Sequence, residues 1–230
     1  EGLLSSIRSL ILDNIVSLSD MPEAVTFSSA LALQCFTNEY IYSQTVSETL
    51  AIRELEKSVS TGLACGSQPH CLVLTCLGSY KALHEYSWCH LLVIPRSLEN
   101  LAQRQIWDFE EEERLKLKMQ VLQEISDDMS LKVRGQYEEN PYPRWSNLCL
   151  PIESQPILKV ASYLNLKLSL VEPSPRNRLA ILVAGCGTGQ HSIETSARYK
   201  DCSVLAVDLS LNSLAYAKRM TKQLGIENIK

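Results

Sequence analysis

Three closely spaced glycines and a later acid are the residues whose types and spacing best fit a chemical role. Gly185, Gly187 and Gly189 lie at alternate positions, and Asp208 follows the next apolar run. Glycine tolerates positive φ and lets the backbone approach a ligand closely. A carboxylate such as that of Asp208 accepts hydrogen bonds from ribose hydroxyls. The combination indicates a site for a nucleotide-like ligand.

The flanking sequence predicts the elements that must position these residues. The apolar run Leu179–Ala184 is typical of a buried parallel strand, and the residues after Gly189 can begin a helix. A second apolar run, Val204–Val207, ends on Asp208. Strand, glycine turn, helix, strand and acid, in this order, open a nucleotide-type βαβ unit, whose helix offers unpaired N–H groups at its N-terminus.

The glycine spacing separates two kinds of ligand. Dinucleotide enzymes use G-x-G-x-x-G, but the third glycine position is Gln190 when counted from Gly185 and Ser192 when counted from Gly187. The pattern G-x-G-x-G followed by an acid resembles the first two motifs of class I S-adenosylmethionine-dependent methyltransferases. A different Rossmann-like nucleotide binder, or a glycine turn without a ligand, stays open as an alternative.

The resemblance implies roles for individual residues. The three glycines would line the methionine and ribose portions of S-adenosylmethionine, and the acid would hold the ribose. The chemistry would be attack of an acceptor atom on the sulfonium methyl, with the protein supplying orientation. No catalytic residue can be assigned, and Tyr142 and Arg144 are guesses at pocket-lining positions. The predicted cofactor site comprises Gly185, Cys186, Gly187, Thr188, Gly189, Asp208, Leu209, Tyr142 and Arg144.

Length and composition suit an ordinary globular protein of one large or two modest domains. The chain has 230 residues, of which 45% are apolar and 21% charged. The net charge of −4, without a basic stripe, does not imply nucleic acid. No apolar run approaches the roughly 18–20 residues that span a bilayer, and no signal peptide is visible. The first residue is Glu rather than Met, which suggests a fragment or a processed chain.

The eight cysteines form no C-x-x-C pair and lie mostly in apolar runs. They predict free thiols in a reducing, cytoplasmic setting. Cys71, Cys76, His84, Cys89 and His90 are the nearest approach to a zinc site, but their spacing matches no standard metal pattern. We therefore expect no metal.

Apolar periodicity predicts an all-helical region over about the first 130 residues, which is also the candidate surface for a protein partner. The acidic run before Arg114 is interpreted as a solvated helix face with Glu110–Arg114 and Glu112–Lys116 pairs. The predicted helices cover 2–18, 23–43, 47–62, 70–83 and a region from 97 that keeps Leu115, Met119, Leu122 and Ile125 on its apolar face.

Residues 131–178 form a connector of different character. Its prolines predict a stiff, extended strip that presents aromatic and basic side chains. The strip would cover a ligand or clamp two domains, or it is a rigid linker packed on its own aromatics. The presented residues are Tyr137, Tyr142, Arg144 and Trp145.

Two strings extend the resemblance. Tyr-Glu-Glu-Asn-Pro-Tyr-Pro-Arg-Trp, at 137–145, and Gln-Cys-Phe-Thr-Asn-Glu-Tyr, at 34–40, resemble methyltransferases associated with tetratricopeptide repeats, although the repeats themselves are absent. This family implies methyl transfer from S-adenosylmethionine to an acceptor that these residues do not identify.

The remaining chain predicts a helix at Ser154–Leu166, a break at Glu172–Pro175 and a last helix with Ser210 as its N-cap. Residues 179–230 suffice for two strands and two helices, whereas a methyltransferase sheet resembling the family would need about five more strands. The second strand would leave an unpaired edge unless another segment covers it. We expect the front portion of a methyltransferase that is inactive as a separate molecule.

The predicted fold class is α/β: an all-helical domain at 1–130, the connector at 131–178 and the first βαβ part of a Rossmann-like class I methyltransferase sheet at 179–230. Two other functions stay open. One is a helical protein-interaction module with a vestigial nucleotide-binding fold. The other is a nicotinamide-dependent oxidoreductase, which lacks the third glycine.

Overall fold

The computed structural model describes residues 2–122, 126–139, 141–163 and 179–230. They form two compact units, unit 1 (Glu1–Glu110) and unit 2 (Glu111–Lys230). Unit 1 ends before the predicted helical domain does, and the three predicted domains stay a prediction. The fold is helix-rich, with one small parallel sheet in unit 2.

Unit 1 is helical throughout its ordered elements, as the apolar periodicity predicted. Short 3₁₀ turns follow α5, a π-helical turn occupies Gln103–Trp107, and the division between the units falls within α7. The helices are α1 (Gly2–Asp13), α2 (Ile15–Leu18), α3 (Pro22–Thr37), α4 (Val46–Ala64), α5 (Cys71–Gly78), α6 (Glu99–Ala102) and α7 (Asp108–Lys116).

Several helix ends differ from the prediction. The helix predicted at 23–43 ends at Thr37, because Glu39 and Tyr40 both adopt φ of +53°, which no right-handed helix contains. The helix predicted at 70–83 ends at Gly78, where the Ser79 hydroxyl donates to the Cys76 carbonyl at 2.7 Å.

Two other predicted helices are also shorter. The helix predicted at 2–18 is interrupted at Asn14. The helix that carries the acidic run ends at Lys116, so Met119 and Leu122 are not on its apolar face, and Ile125 lies outside the described residues. The start of α4 is well specified: Thr45 and Glu48 form a capping box.

The core of unit 1 contains a fully buried amide that joins three segments. Gln105, in the π-helical turn, accepts a hydrogen bond from the Leu83 N–H at 3.1 Å. Its amide nitrogen donates to the carbonyls of Gly78 at 2.9 Å and Ala32 at 3.3 Å. These bonds give the buried Gln105 amide partners in α3, at the end of α5 and in the residues after α5.

A buried ionic cluster ties α1, α4 and the residues after α5. The Arg8 side chain is 1% exposed, its Nη2 donates to the Ser43 carbonyl at 2.9 Å, and its Cζ lies 4.0 Å from the Tyr80 ring centroid. Tyr80 donates to Glu48 Oε1 at 2.8 Å, and Arg8 Nη2 lies 3.8 Å from the same oxygen. Glu48 therefore balances a cation that has almost no access to water.

Unit 2 contains a parallel two-stranded sheet flanked by helices. The strands align Leu179 with Cys202 and Ala184 with Val207. The predicted first strand is confirmed with the same bounds. The elements of unit 2 after α7 are α8 (Asp128–Glu139), α9 (Ile157–Tyr163), β1 (Leu179–Ala184), α10 (Gln190–Arg198), β2 (Cys202–Val207) and α11 (Leu211–Gln223).

The outer edge of β2 is partly covered by the last residues of the chain. Val204 N–H donates to the Asn228 carbonyl and Ala206 N–H to the Lys230 carbonyl, both at 2.8 Å. The helix predicted at Ser154–Leu166 corresponds to α9 up to Tyr163; its last three residues and the break at Glu172–Pro175 lie outside the described residues.

Candidate functional site

The three glycines of the loop between β1 and α10 all adopt left-handed backbone conformations. Their φ values are +68° at Gly185, +51° at Gly187 and +86° at Gly189. Side chains are strained at such φ, which explains why this loop needs glycine. Gly189 has a second reason, because a Cβ placed there would lie 2.5 Å from the Cβ of Ala217 on α11. The loop therefore turns tightly and packs closely against a helix.

The acid after β2 is bonded directly to this loop. Asp208 Oδ2 accepts from the Gly187 N–H at 2.7 Å, and Oδ1 accepts from the Ser210 N–H at 2.9 Å. The parallel register brings the ends of β1 and β2 to the same edge, which makes this contact possible. Asp208 is half-buried, and each of its oxygens retains a second lone pair.

The two residues between the glycines point into the protein. Burial, reinforced by the negative charge of Asp208, raises the pKa of the Cys186 thiol to about 12. Cys186 is therefore a neutral thiol at pH 7 and a poor nucleophile. Thr188 is 2% exposed, and its hydroxyl donates to the Pro143 carbonyl at 2.7 Å.

The connector contacts the loop through a segment that we call the strap, residues 137–139 and 141–145. The Trp145 indole N–H donates to the Thr188 carbonyl at 3.1 Å. The indole is buried with Ile193 and Met220, and it meets the Tyr216 ring edge-on at a centroid distance of 5.9 Å. The Tyr216 hydroxyl donates to the Trp145 carbonyl. The aromatic residues of the strap thus include an anchor in the core of unit 2.

The remaining predicted site residues lie near the loop but differ in exposure. The Tyr142 side chain is 69% exposed, while its carbonyl lies 3.8 Å from the position that a Cβ at Gly187 would take. Arg144 is partly buried in the same segment, and Leu209, beside Asp208, is 41% exposed. The structure therefore brings the strap to the glycine loop through the Tyr142 backbone.

Sequence reasoning missed the role of Glu138. Its carboxylate accepts from the Leu211 N–H at 2.7 Å and the Asn212 N–H at 3.2 Å, at the first turn of α11. The predicted N-cap is confirmed, because the Ser210 hydroxyl accepts from the Ser213 N–H, and the same hydroxyl donates to the Tyr137 carbonyl. A carboxylate at a helix N-terminus is favourable, so the strap also caps α11.

The interpretation of the acidic run as a solvated face is wrong in part. Glu112 forms a 2.8 Å ion pair with Arg219, which is almost fully buried on α11. Glu111 likewise pairs with Lys222 at 3.1 Å. The partners come from a helix about a hundred positions further along the chain, so local charge spacing could not reveal them.

Two of the histidines near the cysteines, His84 and His70, have structural partners. His84 stacks on Phe109 at a centroid distance of 3.8 Å, and its Nδ1 lies 2.8 Å from the Gln105 carbonyl. His70 caps α5 by accepting from the Leu72 N–H. Within 2–122, 126–139, 141–163 and 179–230, no group of three or more His, Cys, Asp or Glu side chains could hold a metal ion. In these same ranges no helix has the length and apolarity to cross a membrane.

Comparison with known proteins found one family model, and the residues it matches include the glycine loop and the acid. Residues 181–230, from within β1 to the last residue, match the family model described as "Methyltransferase domain". No curated protein and no solved structure matches the chain. The match supports a class I methyltransferase, whereas the association with tetratricopeptide repeats stays a prediction.

Proposed function

We propose that this chain carries the S-adenosylmethionine-binding part of a methyltransferase, on a Rossmann-like βαβ unit. The observation that carries the proposal is the hydrogen bond between Asp208 and the Gly187 N–H. It holds a loop of three left-handed glycines and an acid together at the carboxyl ends of two parallel strands, where α/β sheets bind ligands. The methyltransferase match covers the same residues.

The residues present fit such a ligand. Gly185 is exposed, and a Cβ placed there would meet nothing within 4 Å, so a ligand can approach the backbone. The free lone pairs of Asp208 suit two ribose hydroxyls, and the exposed Leu209 offers an apolar surface beside them. The Thr188 hydroxyl donates to the strap, so its side chain is engaged within the protein and is not counted among the ligand contacts.

The chemistry of the cofactor determines what the protein must contribute. When bound, S-adenosylmethionine supplies an electrophilic methyl group, and the protein contributes orientation and proximity. Gly185, Gly187 and Asp208 would fix the ribose and amino-acid portions. A general base is needed only for an acceptor that must lose a proton, and none is assigned.

We also propose a cytoplasmic setting, because all eight cysteines are free thiols. We further propose that unit 1 binds a protein partner.

The proposal is tested by calorimetric titration of the 230-residue chain with S-adenosylhomocysteine. A separate titration with NAD is the control. We expect binding of S-adenosylhomocysteine alone, and a loss of at least about tenfold in affinity in Asp208→Asn, since ribose hydroxyls lose a charged acceptor. Asp201→Asn makes the same charge change at an exposed residue directly before β2, and this variant should bind S-adenosylhomocysteine normally.

Two outcomes would count against the proposal. A cooperatively folded chain that gives no heat with millimolar S-adenosylhomocysteine would favour the interaction-module alternative. Tighter binding of NAD would favour the nicotinamide-dependent oxidoreductase.

A further inference from the structure

We propose that Thr188 and Trp145 are positioning residues, through which the strap holds the glycine loop in the geometry that its ligand needs. The inference rests on the proposed function of the loop as a cofactor site. In this proposal the Thr188 side chain binds the strap rather than the ligand, and the aromatic connector serves to hold the glycine loop.

The first argument is the pair of hydrogen bonds between the loop and the strap. The Thr188 hydroxyl donates to the Pro143 carbonyl, and the Trp145 indole donates to the Thr188 carbonyl. One residue in the middle of the loop is thus held through both its side chain and its backbone. Thr188 is itself buried, so losing the Trp145 donor leaves its carbonyl unpaired, and losing its hydroxyl removes the bond to the Pro143 carbonyl.

The second argument is that the strap is itself fixed at both ends. At one end, Trp145 is packed in the core of unit 2 and bonded through its carbonyl to Tyr216. At the other end, Glu138 and the Tyr137 carbonyl bind the first turn of α11 and Ser210. Ser210 also donates its N–H to the acid of the site. The strap therefore contacts the chain on both sides of the candidate site.

The third argument is the conformational freedom of the loop. A segment with three glycines has many alternative backbone conformations, and fixing each residue is entropically costly. If only a fraction of the molecules had the loop in its left-handed geometry, the apparent affinity for the ligand would be reduced in proportion to that fraction. Hydrogen bonds to a rigid strap keep most molecules in the geometry that binds the ligand.

Substitutions at Thr188 test the proposal directly. Thr188→Val removes the hydroxyl at nearly constant shape, and we expect about tenfold weaker binding of S-adenosylhomocysteine. Thr188→Ser keeps the hydroxyl and should restore affinity to within about twofold of the parent chain. Thr195→Val makes the same change at another buried threonine, on α10, and should leave affinity unchanged. Trp145→Phe keeps an aromatic ring without the indole donor and should weaken binding severalfold.

Amide hydrogen exchange without ligand gives a readout that does not depend on the cofactor assignment. The Gly187 and Gly189 amides should exchange about tenfold faster in Thr188→Val than in Thr188→Ser, while amides of β2 keep their protection. Unchanged loop exchange and unchanged affinity in Thr188→Val would overturn the proposal. If the parent chain binds no S-adenosylhomocysteine but loop exchange responds as expected, the proposed function fails while the positioning role of the strap stands.

Discussion

The buried polar cluster of unit 1 and the glycine loop of unit 2 use polar groups in opposite ways. Arg8 and Glu48 are almost fully buried, and their contacts are made within unit 1. Asp208 is only half-buried, and Gly185 beside it is exposed. The first cluster joins helices, whereas the second keeps acceptor capacity and open backbone at a sheet edge. Burial, more than residue type, therefore separates stabilising groups from candidate ligand-binding groups.

The largest effect that this comparison predicts is from Glu48→Ala. The substitution leaves the Arg8 guanidinium buried without its counter-ion and the Tyr80 hydroxyl without its acceptor. We expect a loss of about 3–5 kcal/mol in the free energy of unfolding, measured by urea denaturation followed by circular dichroism. Glu48→Gln keeps one acceptor and should lose less. Equal stability of all three chains would contradict a stabilising role for the cluster.

The same glutamate predicts a pH dependence. Burial by itself raises the pKa of Glu48, but hydrogen bonds from Thr45 and Tyr80 and the charge of Arg8 outweigh burial and hold the pKa below its ordinary value. Because the unfolded pKa, about 4.3, lies above the folded one, Glu48 stabilises the fold above that pH, and its contribution is lost as the pH falls through the folded pKa. The stability difference between the parent chain and Glu48→Gln should therefore shrink on acidification. If the difference in free energy of unfolding between the parent chain and Glu48→Gln stays constant until the protein unfolds in acid, Glu48 does not contribute to the pH dependence of stability.

A smaller effect is predicted for Gly189→Ala. The new Cβ would lie 2.5 Å from the Ala217 Cβ and 3.1 Å from its Cα, at a φ of +86°. Overpacking against backbone and left-handed strain together should cost about 3 kcal/mol. Gly225→Ala is the matched control, since φ is +66° there but nothing lies within 4 Å of the Cβ. It should lose about 1–2 kcal/mol. Equal losses in urea denaturation would show that close packing against α11 does not constrain the loop.

Local patterns in the sequence predicted the elements of the candidate site well. The apolar run Leu179–Ala184 is the first strand, and Ser210 caps the last helix as expected. Such features depend on a few neighbouring residues, whose periodicity and capping chemistry are visible in the chain. The assignment of individual residues to a cofactor stays a prediction, because backbone geometry alone does not identify a ligand.

Contacts between distant segments could not be predicted. Charge spacing predicted a solvated helix face for Glu112, yet its carboxylate pairs with Arg219. Glu138 is one of two adjacent acids in the aromatic string at 137–145, and its carboxylate binds the first turn of α11. Neither partner is close in sequence, so no local period or spacing carries the information. Only the folded chain shows which of several similar acids is buried against a helix.

The smallest predicted effect tests this distinction between neighbouring acids. Glu138→Gln replaces a carboxylate that accepts from the N–H groups of Leu211 and Asn212 with an amide that offers one acceptor and no charge. We expect a loss of about 1 kcal/mol in the free energy of unfolding, from a weaker cap and a lost charge at a helix N-terminus.

Glu139→Gln makes the same change at the next position, where the side chain is exposed, and it should change stability by less than about 0.5 kcal/mol. Added salt should narrow the difference between the two variants, because the charge at the helix terminus is partly screened. If both variants lose the same stability, Glu138 contributes no more than general surface charge. The strap would then be held without this carboxylate, by the bonds of Thr188 with Pro143 and Trp145 and by the bond of Ser210 with the Tyr137 carbonyl.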